Sequence, residues 1–500
     1  MNNSNHFSCF TKTLAVTLSL LIVLLGLPLS VFAEDLQALF VNENDGNSAP
    51  VSDITADGSE HSSEPFEETS LRSDSTKTFR LPDGSHYLAQ YTTDVHNMDA
   101  DGNYQDIDNS LKLTDGVFST PDGRFSLTEK AEKNVTLLRR SFGDASLSFS
   151  VKNARSAAGA VEKNTVCLPE DASVLDRLTT LPDITSAVLY EDVWENTDLR
   201  YVLSGNDVRE YIIINARAES YEYAFAITAE GLAAKTEDSG EIVFTDAETG
   251  EFVCRIPAPV MWDAERNVPE KINTVITEET GENGKTVLLV TYTADAAWMN
   301  APERKFPVTL DPPVIANRST GVTDLDILTS NPTRSSPTDS SIYVSSDWRA
   351  YWKINTLPAI PFLARITDAT VAFQTIDNGG SGYLGVFEVL TDWDSTLTWG
   401  DVTRTSAPEG KPATVCTDYV RMQEDAVREN ASASSGRITF HILPIVNKWY
   451  DGVNYGLMLM PAQNNVFSGT VHLYSSDYST VASRPALTVT YLDMKGTEDY

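Results

Sequence analysis

The stretch "YEYAFAIT" at residues 221–228 decides the fold class. Successive side chains of an extended chain point to opposite faces, so Tyr221, Tyr223, Phe225 and Ile227 share one face. "GRITFHIL" at residues 436–443 repeats the pattern, with Ile438, Phe440 and Ile442 set against Arg437, Thr439 and His441. "ALTVTYLD" at residues 486–493 sets Leu487, Val489 and Tyr491 against Thr488 and Thr490. Between such runs lie Asp83-Gly84, Asp101-Gly102, Asp122-Gly123, Asn283-Gly284 and Asn378-Gly379, pairs that tolerate the positive φ of tight hairpins. Helical patterns are few; "MQEDAVREN" at residues 422–430 is a short candidate. The expected fold is all-β: an N-terminal β-sandwich-like region followed by a C-terminal antiparallel jelly-roll.

The chain has 500 residues, too many for one ordinary core. Lys12 precedes an apolar run from Leu14 to Leu29, and Val31 and Ala33 occupy the −3 and −1 positions of a cleavage site. Residues 1–33 therefore read as a secretory signal peptide cut after Ala33, leaving a mature chain with no membrane span and a secreted, extracellular destination. Residues 34–75 carry eleven Asp and Glu against a single Arg72 and read as a disordered acidic spacer. Asp311-Pro312-Pro313 ends a strand, because proline cannot donate to a ladder. The boundary placed there separates residues 76–313 from residues 314–493, with 494–500 as a tail. Net charge is −34, which repels nucleic acid and anionic lipid and argues against both as partners. Cys9 leaves with the signal; Cys167, Cys254 and Cys416 are too few and too odd for a disulfide framework, with pairing of Cys167 and Cys254 left open.

"VHNMDADGNYQDIDNSL" at residues 95–111 has the oxygen spacing of a calcium loop, with Asn97, Asp99, Asp101 and Asp108 at positions one, three, five and twelve and Gly102 at six. Strand-like segments flank it, and Asp108 is shorter than the glutamate a helix–loop–helix site uses. A hairpin turning at Asp101-Gly102 is the expectation, with a β-flanked calcium site as the alternative.

Several blocks resemble known families. "FRLPDGSHYLAQYTTDVHNMDADGNYQDIDNSL", "VLYEDVWENTDLRYVLSGNDVREYIIIN" and "RKFPVTLDPPV" resemble the N-terminal region of secreted bacterial wall-associated proteins with RHS/YD repeats. "RAYWKINTLPAIPFLARITDATVAF", "TDWDSTLTWGD", "IVNKWYDGVNYGLMLM" and "SSDYSTVASRPALTVTY" resemble, in order, the DNRLRE-type jelly-roll module grouped with carbohydrate-binding modules of family 96. The hexapeptide naming that module is absent here. In longer relatives the module precedes repeat arrays and toxin or adhesion domains, so the end at "KGTEDY" reads as a truncated product lacking that downstream region.

The resemblance implies a secreted, non-catalytic protein that binds polysaccharide or cell-wall glycan; the alternative is a structural presentation segment of a larger RHS/YD-repeat toxin or adhesin. The residues agree with the absence of catalysis: there is no His-Glu-x-x-His, no Gly-x-Ser-x-Gly and no phosphate loop. His61, His86, His96, His441 and His472 form no helical ligand pair. Acidic pairs are abundant enough that none singles out a glycosidase site. Candidate sugar-stacking or hydrogen-bonding residues are Trp348, Arg349, Tyr450 and Tyr478. Trp348, Ala350 and Trp352 share one strand face and Arg349, Tyr351 and Lys353 the other, and one of these faces must be core. Trp393 and Trp399 are read first as core. The module type also implies a structural Ca2+, for which Asp324 and Asp326 in "TDLDIL" are the candidate ligands.

Overall fold

The computed structural model describes residues 64–494, apart from residues 100, 163–171, 239, 266, 270–271, 281–284, 317–320, 337–338, 378, 403–418, 422–435 and 463–466. The signal peptide with its Ala33 site, spacer residues 34–63, Cys167, Cys416, the 422–430 helix and most of the tail lie outside the described residues. The chain is mostly β-sheet, 51% strand against 8% helix, as the alternation predicts. Tyr221, Tyr223, Phe225 and Ile227 are all buried in one core.

That core lies between two antiparallel sheets. One sheet has eight strands, in the order Asn273–Thr280, Thr286–Thr293, Glu222–Glu230, Ala145–Val151, Thr136–Phe142, Phe125–Thr128, Val117–Ser119 and Lys112–Thr114. The other has seven, running Val260–Trp262, Val308–Asp311, Asp207–Ile214, Thr197–Ser204, Thr185–Trp194, Ala157–Glu162 and Lys130–Ala131. Phe125, Leu147 and Phe225 from the first meet Tyr190, Tyr201 and Ile212 from the second. Trp194 closes the contact, its ring edge-on to Tyr223 at 5.1 Å, a favoured aromatic geometry.

A second body follows, built on a five-stranded sheet ordered Val322–Leu328, Trp348–Ile354, Leu457–Pro461, Leu384–Val389 and Tyr419–Arg421. Its partner sheet has six strands: Phe66–Glu67, Thr76–Arg80, His86–Gln90, Ala486–Leu492, Arg365–Gln374 and Arg437–His441. The body is three layers deep. Ala350 and Trp352 fill the core between the sheets. Tyr351, on the opposite face of the same strand, is buried under Trp393, Leu397 and Val402. The face of Ala350 and Trp352 is thus the core face between the sheets, and the opposite face is covered too, so the strand's centre is buried on both sides. Trp393 is core, as read, and donates its indole N–H to the Tyr455 carbonyl at 2.7 Å.

Two boundaries move. Residues 64–75 are ordered, not spacer: Phe66–Glu67 pairs with Phe79 and Arg80, and Arg72 donates to Glu67 at 2.7 Å. Acid alone does not keep a segment disordered when nearby cations neutralise it, and here Arg72 within the segment and Lys77 just after it serve Glu67 and Asp106. In addition, residues 76–90, which the sequence groups with the first body, complete a sheet of the second together with Phe66–Glu67.

The 95–111 stretch forms a hairpin. His96–Met98 pairs with Tyr104–Asp106, and the Asp99 carboxylate accepts the Asp101 and Asn103 amides at 3.0 and 2.8 Å. Gly102 sits at φ +84°, the conformation the turn needs.

A second glycine is pinned by packing. Gly456 has φ +76°, and an added Cβ would lie 2.4 Å from the Trp352 carbonyl oxygen. Gly456→Ala combines backbone strain with a steric clash, so we expect a loss of at least about 2 kcal/mol, read as a lower midpoint of urea unfolding. A midpoint equal to that of the parent would show that this approach is looser than described.

Candidate functional site

The six sequence-predicted residues do not gather at one place. Trp348 is half-buried; its ring tilts against Tyr343 at 5.1 Å and carries Arg334 at 4.8 Å. Arg349 lies on the opposite strand face, its guanidinium 4.4 Å from the Trp399 ring. Tyr450 lies in the last turn of the helix Leu443–Asp451 and donates its hydroxyl to the Pro358 carbonyl at 2.8 Å. Tyr478 lies tilted against Tyr474 with ring centres 4.1 Å apart. Each aromatic is therefore engaged by a neighbour within the fold.

Asp324 and Asp326 are buried on the strand Val322–Leu328. Asp326 accepts Ser336 Oγ at 2.6 Å and the Tyr343 amide at 2.9 Å, and pairs with Arg334. Asp324 accepts the Ser476 amide at 2.7 Å; burial, then the charge of Asp477, pushes its pKa up to about 8. Among the described residues, no group of three or more His, Cys, Asp or Glu is placed to hold a metal ion.

What the fold does concentrate is buried charge, at the seam between the two bodies. Arg209, on the strand Asp207–Ile214, donates Nη1–H to Asp311 at 3.2 Å within its own body. Its Nη2–H goes to Asp477 of the second body at 2.8 Å. Burial works against the Arg209 charge, but Asp311 and Asp477 hold its pKa above the usual value. Asp311 is pushed up to about 6 by burial, with Arg209 opposing. Arg484 crosses the seam too, donating to Ser204 Oγ at 2.8 Å and to the Tyr478 carbonyl at 2.6 Å. Burial, then the like charge of Arg209, lowers its pKa to about 10. Beside the seam opens a cleft of about 370 Å³, whose walls include Tyr87, Tyr91, Thr179, Arg437, Val481 and Arg484.

This network is almost invisible in the sequence. Its local signal is the Arg209-Glu210 pair inside the largely buried "DVREYIII" strand, since charge inside a buried strand requires a partner. The partner Asp477 lies 268 residues away, beyond the reach of any local pattern.

No family model matches the chain. Three curated relatives do. The tRNA nuclease WapA of Bacillus subtilis (strain 168) is 25% identical over 378 residues, 71% of this chain and 15% of the relative. The tRNA(Glu)-specific nuclease WapA of Bacillus subtilis subsp. natto (strain BEST195) is 25% identical over 320 residues, 62% of this chain and 12% of the relative. The tRNA3(Ser)-specific nuclease WapA of Bacillus spizizenii is 26% identical over 273 residues, 53% of this chain and 11% of the relative. The chain thus spans 11–15% of the length of these relatives.

These names correct four expectations: a carbohydrate- or cell-wall-glycan-binding function, the absence of catalysis, a polysaccharide partner and the exclusion of nucleic acid. The relatives are enzymes, and what they act on is tRNA. The misreading has a physical source. An aromatic residue in a strand looks the same in sequence whether its ring lies open to a sugar or lies against a neighbour, as Trp348 does against Tyr343. Net charge likewise describes the whole chain and says little about any one site.

Proposed function

We propose that this chain is the β framework of an exported toxin whose activity is cleavage of tRNA. The observation that supports this reading is similarity to three tRNA nucleases over 53–71% of the chain, while the matched stretch makes up 11–15% of each nuclease. Two packed cores joined across their seam by the Arg209–Asp477 ion pair suit a part that must hold its shape. Among the described residues no helix is long and apolar enough to cross a membrane.

The test uses the natural protein from its source, incubated with bulk tRNA and followed on a denaturing gel. Shortened tRNA is expected, and its yield should fall when Gly456→Ala loosens the framework near its melting temperature. Intact tRNA after prolonged incubation sinks the nuclease assignment. Undiminished cleavage by a protein whose framework has melted sinks the framework assignment alone.

A further inference from the structure

Three parts of the fold converge on one short segment, residues 475–492. Its strand Ala486–Leu492 pairs on one side with Arg365–Gln374 of the second body. On the other side it pairs with the N-terminal strand His86–Gln90, from His86 opposite Tyr491 to Gln90 opposite Leu487. The turn before that strand holds the first body: Asp477 takes Arg209, and Arg484 reaches Ser204. Val481 buries itself among Val95, Ile107 and Ile184, with its amide 3.4 Å from Thr185 Oγ. Ser476 ties the same turn to Asp324.

We propose that residues 475–492 are a clasp that closes last and fastens the N-terminal strap, residues 64–90, and both β bodies into one unit. The topology sets the order. The strap pairs with a strand about four hundred residues downstream, and such distant pairing carries the largest loop-closure cost among the described strands. Chains also emerge N-terminus first, so residues 64–314 are complete before the clasp exists. Until it docks, His86–Gln90 presents an open strand edge, which is prone to pairing with other chains. This inference is independent of the nuclease reading.

Hydrogen exchange measured by mass spectrometry tests it, comparing the full chain with a version ending at Tyr474. In the shortened chain, amides of residues 76–90 should exchange at least about 100-fold faster, while the Thr197–Ser204 strand of the first core keeps its protection. A synthetic peptide of residues 475–493, added in excess, should restore the slow rate. Unchanged protection of residues 76–90 overturns the proposal, as does a peptide that leaves a folded shortened chain unprotected. If the shortened chain aggregates, Arg484→Met in the full chain decides. Faster exchange in residues 475–492 and 86–90 together supports the clasp; parental rates in both overturn it.

Discussion

Arg209→Ala is expected to cost about 3–5 kcal/mol of stability, because it strands a carboxylate and leaves a cavity in its place. Asp311, 2% exposed, would lose the Arg209 Nη1–H donor, and Asp477 the tie that crosses the seam. The size of the loss comes from what is left behind rather than from the strength of the ion pair. Removing both members should therefore recover most of it. Arg209→Met combined with Asp311→Leu puts apolar volume where the charges were, and Asp477, with its side chain 22% exposed, can turn to water. Urea unfolding of the two single variants and the double variant measures the coupling. A loss below about 1 kcal/mol in Arg209→Ala would mean that the guanidinium is already solvated and the seam is open. A double variant no better than the single would place the cost in lost packing rather than stranded charge.

How much of this could be read in advance depends on the distance over which each signal acts. Alternation is local, and it places Tyr223, Phe225, Phe440 and Val489 correctly, because a strand with one wet face writes its burial into every second residue. It fails for the strand Trp348–Ile354, where Ala350, Tyr351 and Trp352 are all buried; a strand covered on both faces carries no alternation. The i, i+2 spacing of Asp324 and Asp326 marks two carboxyls buried on one strand, but their oxygens are taken by Ser476, Ser336, Tyr343 and Arg334. The hairpin at Gly102 is legible because its turn chemistry lies within five residues. The strap and the seam are not legible. Gln90 and Leu487 pair across the whole first body, which lies between them in sequence.

One buried acid in the first body should give the chain a pH dependence that a single isosteric change removes. Glu210, 3% exposed, faces the Tyr201 hydroxyl at 3.3 Å, and burial pushes its pKa up to about 8. The folded protein therefore favours the protonated acid, whereas in the unfolded chain the group ionises near 4.5. Its contribution is complete below that value. It declines as pH rises, because between the two pKa values only the folded state holds the proton, and it is gone above about 8. Glu210→Gln keeps an oxygen for the Tyr201 hydroxyl and carries no charge at any pH. Its stability relative to the parent should rise by about 1.4 kcal/mol per pH unit from pH 5 to 8, toward a ceiling of roughly 5 kcal/mol, and then level off. Asp94 and Asp311, each pushed up to about 6 by burial, tilt the parent profile in the same direction below pH 6, but they remain in both proteins and largely cancel in the difference. Urea midpoints at pH 5.5, 6.5, 7.5 and 8.5 supply the measurement. A parent–variant difference that stays constant across that range would mean that Glu210 is ionised in the folded chain throughout, with water or a cation reaching it.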